Sequence, residues 1–329
     1  MPTDREMELM TRAAALYYLE DVTQAEVAAR LGLSRVKVGR LLKRARAEGI
    51  VEIRVHAPPA ITERLEQEVA RRFGLRYALL ASDHADEGVQ RDLVAQRAAD
   101  MLVRLLRNGM TVAVGMGRNV SAVASAIREA PARRCTFVAA IGGSPAMARS
   151  VDPADICRRL AERFGGDAVA LFAPAYAETP QVREAFLRHE DVRGTLEKAA
   201  RADLAVVGIG DAEDGSAVVR MGCFSQADMA RMRRTGAVGD ILGFFFDLEG
   251  RPVAEGMTDR VISVGAEGLA RIGCTLAVVS EAGKARAILG ALRSGVVDVL
   301  ATSVANAREV LRLAGSGSDD NERTGGIPA

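Results

Sequence analysis

The sequence predicts an α/β protein in two parts. A small N-terminal domain has the three-helix, helix-turn-helix pattern, and a larger domain is a doubly wound, mostly parallel α/β structure. Three observations carry this reading. Apolar runs of strand length recur from residue 77 to residue 303, with helical patterns between most of them. That alternation means a mostly parallel sheet covered by helices on both faces. Ahead of it, the first 49 residues hold helical segments separated by cap and turn signals. At 329 residues the chain also exceeds what one core usually serves.

The elements follow in chain order. Residues 4–20 place Met7, Met10, Ala14, Tyr17 and Tyr18 at helical spacing, as an amphipathic helix requires. Thr23 with Glu26 three residues on is a capping box, so a second helix begins there. It stops at Gly32, whose missing Cβ permits the left-handed conformation of a sharp turn. Ser34 caps a third helix that ends near Gly49. Val27, Ala28, Leu31, Leu33, Val38 and Leu41 then face inward together, the pattern of a helix-turn-helix.

Charge points to the partner. From Arg30 to Arg46 there are seven basic residues and no acidic one, in a chain with 44 basic and 43 acidic residues overall. A local cluster on a balanced background implies a local anionic partner, and a recognition helix inserts its N-terminal half into the DNA major groove. Ser34, Arg35, Val36, Lys37, Gly39 and Arg40 form the expected DNA-facing set. Arg35 and Arg40 suit bidentate contacts to guanine edges. Gln24, Lys43 and Arg44 are expected on phosphates.

"IVEIRVHA" (50–57) alternates as a strand, and the prolines at 58 and 59 mark a boundary. Residues 61–74 form a helix with Ile61, Leu65, Val69 and Phe73 on one stripe, expected to connect the domains, to pair with a partner chain, or both. The strand candidates are 77–82, 111–117, 136–143, 168–174, 204–210, 240–247, 275–281 and 297–303, with helices at 87–108, 119–129 and 284–293 among the connections. The expected domains are 1–57 for DNA binding, 58–75 as the connecting helix, 76–314 for effector binding and oligomerisation, and 315–329 as a polar, disordered tail.

Ligands of open parallel sheets sit beyond the carboxyl ends of the strands. There the sequence places "GMGRN" (115–119), "GGSP" (142–145), "GIGD" (208–211) and "SEAGKA" (280–285). Glycine at a strand end lets a ligand approach the backbone, and a following helix N-terminus offers free N–H groups to phosphate or sugar oxygens. Lys284 starts such a helix, where a cation opposes the helix dipole, so an anionic ligand group is expected beside it.

Other chemistries are excluded. "GMGRNV" has Val120 where the dinucleotide fingerprint needs its third glycine, and "GK" at 283–284 lacks the rest of a P-loop, so neither NAD nor ATP is expected. Cys135, Cys157, Cys223 and Cys274 stand more than twenty residues apart, and His56, His84 and His189 are equally scattered. No metal site, cofactor or catalytic set follows from them, and the thiols are expected reduced and buried. An aromatic content of 4% without tryptophan argues against a stacking surface for single strands. No apolar run approaches the roughly 20 residues that span a bilayer. The N-terminus is acidic and polar, unlike a secretory signal, so a cytoplasmic protein is expected.

Several long stretches resemble the SorC family of bacterial transcriptional regulators, over nearly the whole chain. They are "VTQAEVAARLGLSRVKVGRLLKRARAEGIVEI", "VAVGMGRNV", "AAIGG", "LAVVGIG", "GAVGDILGFFFDLEGRPV" and "GKARAILGALRSGVVDVLATSVANAREVL". The resemblance implies a helix-turn-helix joined to an effector domain similar to the sugar-phosphate and ribose-phosphate isomerase fold. It implies a sugar, polyol or sugar-phosphate effector, double-stranded operator DNA, and assembly as a homodimer or homotetramer. By resemblance Asp240 accepts from a sugar hydroxyl, and Lys284 holds a phosphate. Gly115, Gly117, Gly142 and Gly143, with Ser144, shape the pocket. The chain departs from the family at Met116 and Asn119, where an aromatic residue and threonine are usual. It departs again at Glu281 and Ala282, where a glycine pair is usual. A carboxylate there repels a phosphate, so an unphosphorylated sugar or polyol stays open as the effector. The alternative class is an isomerase-like enzyme carrying a DNA-binding domain, with Asp240 and Lys284 as acid and base.

Overall fold

The computed structural model describes residues 4–51, 59–128, 130–144, 149–213, 215–220, 224–253 and 258–316. The chain divides into two compact units, residues 1–56 and 57–329.

The first unit holds helices α1 (Asp4–Tyr18), α2 (Gln24–Leu31) and α3 (Arg35–Ala47). Met10, Ala13, Val27, Val38 and Ala45 are fully buried between them, with Leu31, Leu33, Ile50 and Val51 packed at the margin. The signals read from sequence act as expected. Thr23 Oγ1 accepts from Glu26 N at 3.4 Å, while Glu26 Oε2 accepts from Thr23 N at 3.0 Å. Gly32 takes φ 64° at the end of α2, and Ser34 Oγ accepts from Lys37 N at 3.2 Å at the start of α3. Thr23→Ala leaves the Glu26 N–H of α2 without its partner and is expected to destabilise this unit by about 1 kcal/mol, read by chemical denaturation. The strand expected at 50–57 falls almost wholly outside the described residues.

The second unit runs α4 (Pro59–Phe73), β1 (Tyr77–Ala81), α5 (Glu87–Leu105), β2 (Thr111–Val114), α6 (Arg118–Ala126), β3 (Thr136–Ala139), α7 (Pro153–Phe164) and β4 (Asp167–Val169). It continues with α8 (Pro180–Arg188), α9 (Glu190–Ala200), β5 (Leu204–Gly208), β6 (Gly210–Asp211), α10 (Ala217–Arg220), α11 (Gln226–Arg234), β7 (Gly239–Ile241) and β8 (Phe244–Phe246). It closes with α12 (Gly265–Arg271), β9 (Thr275–Val278), α13 (Ala285–Arg293), β10 (Val299–Ser303) and α14 (Val304–Ser316). Seven strands form one parallel sheet in the order β1-β10-β9-β5-β2-β3-β4. Alternate residues feed two cores. Leu79, Val112, Val114 and Phe137 belong to the core with α5, α6 and α7, whereas Leu80, Ala113, Val138 and Leu300 belong to the core with α4, α9, α12, α13 and α14. Burial on both faces is why these strands, apart from the exposed rim strand β4, read as unbroken apolar runs. Cys135, Cys157 and Cys274 are free and buried.

One expectation needs correction. Residues 240–247 are not one strand but the hairpin β7–β8, and with β6 they make a small antiparallel sheet. Ile241 pairs with Phe244, so Leu242 and Gly243 alone make the turn, at φ 53° and 77°. Positive φ at both positions is the pattern of a type I′ turn, whose twist suits a hairpin. The helix expected at 61–74 is α4, and it packs within the second unit. Val69 is fully buried against the sheet, with Leu65 and Phe73 beside it. Glu66 Oε1 accepts from Leu80 N at 2.8 Å and from Arg97 at 2.6 Å, which binds α4 along the β1 edge. The tail expected to be disordered lies, from residue 317 on, outside the described residues.

Candidate effector pocket and DNA-binding surface

In the order β1-β10-β9-β5-β2-β3-β4 the chain steps one way from β2 to β3 and β4, then returns to the other side of β2 with β5. The crevice between the carboxyl ends of β2 and β5 is therefore the topological switch point, where open α/β sheets bind ligands. "GMGRN" and "GIGD" meet there. Gly115 N donates to Val206 O at 2.9 Å, and a Cβ on Gly115 would stand 3.1 Å from the side chain of Leu242. Gly117 opens α6 at φ 104°, a conformation other residues rarely adopt, and no side chain caps that helix. Met116 is half-buried beside it.

Asn119, on the first turn of α6, is buried and hydrogen-bonded through both amide atoms. Its Nδ2 donates to Glu281 Oε2 at 2.8 Å, and its Oδ1 accepts from Ser280 Oγ at 2.6 Å. Lys284, just before α13, donates to Ile209 O at 3.1 Å. Its Nζ also lies 3.5 Å from Asp211 Oδ2 and 3.6 Å from Glu281 Oε2. Asp240 enters from β7. A Cβ on Gly239 would stand 2.7 Å from Ala287 Cβ, so the glycine lets α13 pack close to β7. Opposite Asp240 in the ladder is Gly210, where any side chain would overlap Asp240 Oδ1. Asp240 Oδ2 accepts from the Gly243 amide at 2.9 Å, so the carboxylate secures the hairpin turn.

Electrostatics separates the carboxylates. Burial pushes the Asp240 carboxyl up to about 6, and Asp211 adds to this; the Gly243 amide and Lys284 oppose it. Burial also pushes Glu281 up, but Lys284, the Asn119 amide, its own backbone N–H and Arg118 outweigh it and hold Glu281 below the usual glutamate range. One carboxylate is a firm anion, and the other ionises near neutrality.

The sequence placed Gly115, Met116, Gly117, Asn119, Asp240 and Lys284 at this edge, and the fold brings them to it. Gly142 and Gly143 behave differently. Their amides already donate to Ile262 O at 3.1 Å and Ala173 O at 3.0 Å. A Cβ on Gly142 would overlap the backbone of Ala173 and Pro174, and one on Gly143 would stand 2.6 Å from Asp152 Oδ2. Close chain packing accounts for this pair. Ser144 follows, half-buried. Sequence reasoning missed Asp211 as a partner of Lys284, although it ends the quoted "GIGD". It also missed Ser280 and the Leu242 turn.

On the first unit, Ser34, Arg35, Val36, Lys37 and Arg40 are exposed along α3, and Val36 is 67% exposed, unusual for an apolar side chain. Lys43 and Arg44 are exposed too, with Arg44 3.3 Å from Glu6. Gly39, expected on the open face, is half-buried, and a Cβ there would stand 3.6 Å from Gln24 Oε1. It marks where Gln24 of α2 packs over α3.

Residues 58–312 match the family model described as "Putative sugar-binding domain", and residues 3–48 match region 4 of sigma-70. The erythritol catabolism regulatory protein EryD of Brucella abortus is 30% identical over 312 residues, 94% of this chain and 98% of its own. The full-length sorbitol operon regulator SorC from Klebsiella pneumoniae superposes with a TM-score of 0.73 at 27% identity, over 94% of this chain and all of the other. The chain belongs to the SorC family of transcriptional regulators. A third SorC-like relative, the transcriptional regulator LsrR of Klebsiella pneumoniae, is 31% identical over 314 residues, 94% of each chain. As a SorC-family protein it is a DNA-binding regulator whose larger unit is a sugar-binding domain, and not an isomerase. No helix among the described residues is long and apolar enough to cross a membrane.

Proposed function

We propose that the protein controls a carbohydrate-utilisation operon, and that its effector binds the β2–β5 crevice between Asp240, Asn119 and Lys284. The observation that carries this is the cluster itself: buried, hydrogen-bonded, oppositely charged groups beneath an uncapped helix at the switch point. Such a cluster offers a polyhydroxyl compound acceptors and donors in a water-poor site. EryD and the sorbitol operon regulator take their names from polyol pathways, which supports a carbohydrate of that kind here. Leu242 and the turn that Asp240 secures are the parts a ligand would displace, and a displaced hairpin is a route to the rest of the unit.

On DNA, α3 enters the major groove. Arg35 and Arg40 read bases, Val36 meets a thymine methyl, and Gln24, Lys43 and Arg44 hold phosphates. One helix-turn-helix makes few contacts, so a cytoplasmic homodimer or homotetramer presents two copies to two half-sites. The effector shifts operator binding by its differential affinity for two arrangements, a coupling of roughly 1–3 kcal/mol.

The test is thermal unfolding of the full chain with erythritol, sorbitol and their monophosphates. A ligand at 100 times its dissociation constant adds about 2.7 kcal/mol. The expected result is a shift with at least one compound, lost in Lys284→Ala and accompanied by altered binding to the protein's own promoter DNA. A shift that survives Lys284→Ala would move the effector away from this crevice.

A further inference from the structure

Lys284 already has partners of its own: one hydrogen bond and two ion pairs. An ammonium group has three N–H donors, and here three acceptors surround it: Ile209 O at 3.1 Å, Asp211 Oδ2 at 3.5 Å and Glu281 Oε2 at 3.6 Å. Glu281 is not a surface side chain passing by. Asn119 donates to its Oε2 at 2.8 Å, Arg118 lies 3.5 Å from its Oε1, and Asn306 Nδ2 donates to its backbone oxygen at 2.9 Å. Asn306 is buried and tied in turn to Thr302 Oγ1 at 3.1 Å. The anion that a cation at a helix start calls for is therefore part of the fold.

Charge bookkeeping points the same way. Lys284 and Arg118 face Glu281, Asp211 and Asp240, so the cluster carries more carboxylates than cations. A phosphate monoester brought to Lys284 would have to evict a fixed carboxylate and then sit against the other two. A neutral polyol needs no eviction. Its hydroxyls can donate to Asp240 Oδ1, Asp211 and Glu281, and they can accept from the open N-terminus of α6.

We propose that Glu281 is a built-in counter-anion for Lys284, and that it makes the crevice select uncharged polyhydroxyl compounds over their phosphate monoesters. This rests on the crevice being the effector site.

The experiment is calorimetric titration of the full chain with tetritols and hexitols, their monophosphates, and inorganic phosphate, repeated in Glu281→Gln. Glutamine keeps an acceptor for Asn119, removes the charge, and gives up only the exposed 3.5 Å contact of Oε1 with Arg118. Wild type is expected to bind a polyol at least about tenfold more tightly than its monophosphate, and Glu281→Gln to gain at least about tenfold for the monophosphate and for inorganic phosphate. Tighter binding of the monophosphate by wild type overturns the inference and leaves the carbohydrate site standing. An unchanged preference in a folded Glu281→Gln, judged by its melting temperature, also overturns it. If that variant does not fold, the wild-type preference alone decides. Binding of neither class overturns the effector reading itself, and the inference with it.

Discussion

Asp240→Asn is expected to make the protein more stable near neutral pH and, in the same step, deaf to its effector. The carboxyl is 8% exposed and is held near 6 instead of its ordinary 3.8, chiefly by burial. Ionising it in the fold therefore costs about 3 kcal/mol at most. The sign follows from proton counting. Between pH 3.8 and 6 the folded protein holds a proton that the unfolded chain has released, so stability falls as pH rises through that window. Asparagine cannot ionise and keeps an acceptor for the Gly243 amide. Its gain is full above the window, shrinks as pH drops through it, and vanishes below. Denaturation of both proteins at several pH values measures this, and a pH-independent difference would contradict it. Affinity should move oppositely, because asparagine offers a hydroxyl a weaker, uncharged acceptor. A variant more stable and less active is what a destabilised functional site predicts.

Arg35→Ala combined with Arg40→Ala should abolish operator recognition without unfolding the N-terminal unit. Both arginines are exposed on α3 and make no ion pair within the described residues, so alanine removes no internal partner. Each substitution is expected to cost about 1–3 kcal/mol of specific binding, and the pair roughly the sum. Fluorescence anisotropy against the operator and a scrambled duplex separates the two effects: the operator curve should collapse towards the scrambled one. Lys43→Ala should instead weaken both duplexes alike and lower the salt slope by about 1. Arg44 should matter less, because it already shares its charge with Glu6 at 3.3 Å. Equal losses on both duplexes in all three variants would mean that another face of α3 meets the groove.

Where the sequence was legible, local physics sufficed. Thr23, Gly32 and Ser34 act within a turn of where they stand, and the paired cap bonds follow from spacing alone. The inner strands of the main sheet were equally readable, because burial on both faces leaves an unbroken apolar run, whereas the run read at 168–174 supplies only the exposed rim strand Asp167–Val169. The same rule misled at 240–247. There the run from Ile241 to Phe246, which spans the hairpin turn, is apolar throughout, with Leu242 where asparagine or aspartate usually announces a type I′ turn. A stripe such as Leu65, Val69 and Phe73 says that a helix has a covered face, but not what covers it. Only the fold showed that face to be this unit's own sheet. The crevice was half legible. Strand ends supplied Asp240, Asn119 and Lys284, whereas the Asp211–Lys284 pairing joins residues 73 positions apart and has no local signature.

The bond from Leu80 to Glu66 has a consequence for how copies of this chain can meet. β1 is the outermost strand of the sheet, and an outermost strand with open amides is a template for another chain. Here a carboxylate occupies one of those amides, an arginine braces the carboxylate, and a helix lies along the border. Sheet continuation at that border would have to break the bond and lift α4. Fibre-like growth is discouraged on this side, and only the three-residue β4 is left as the other rim.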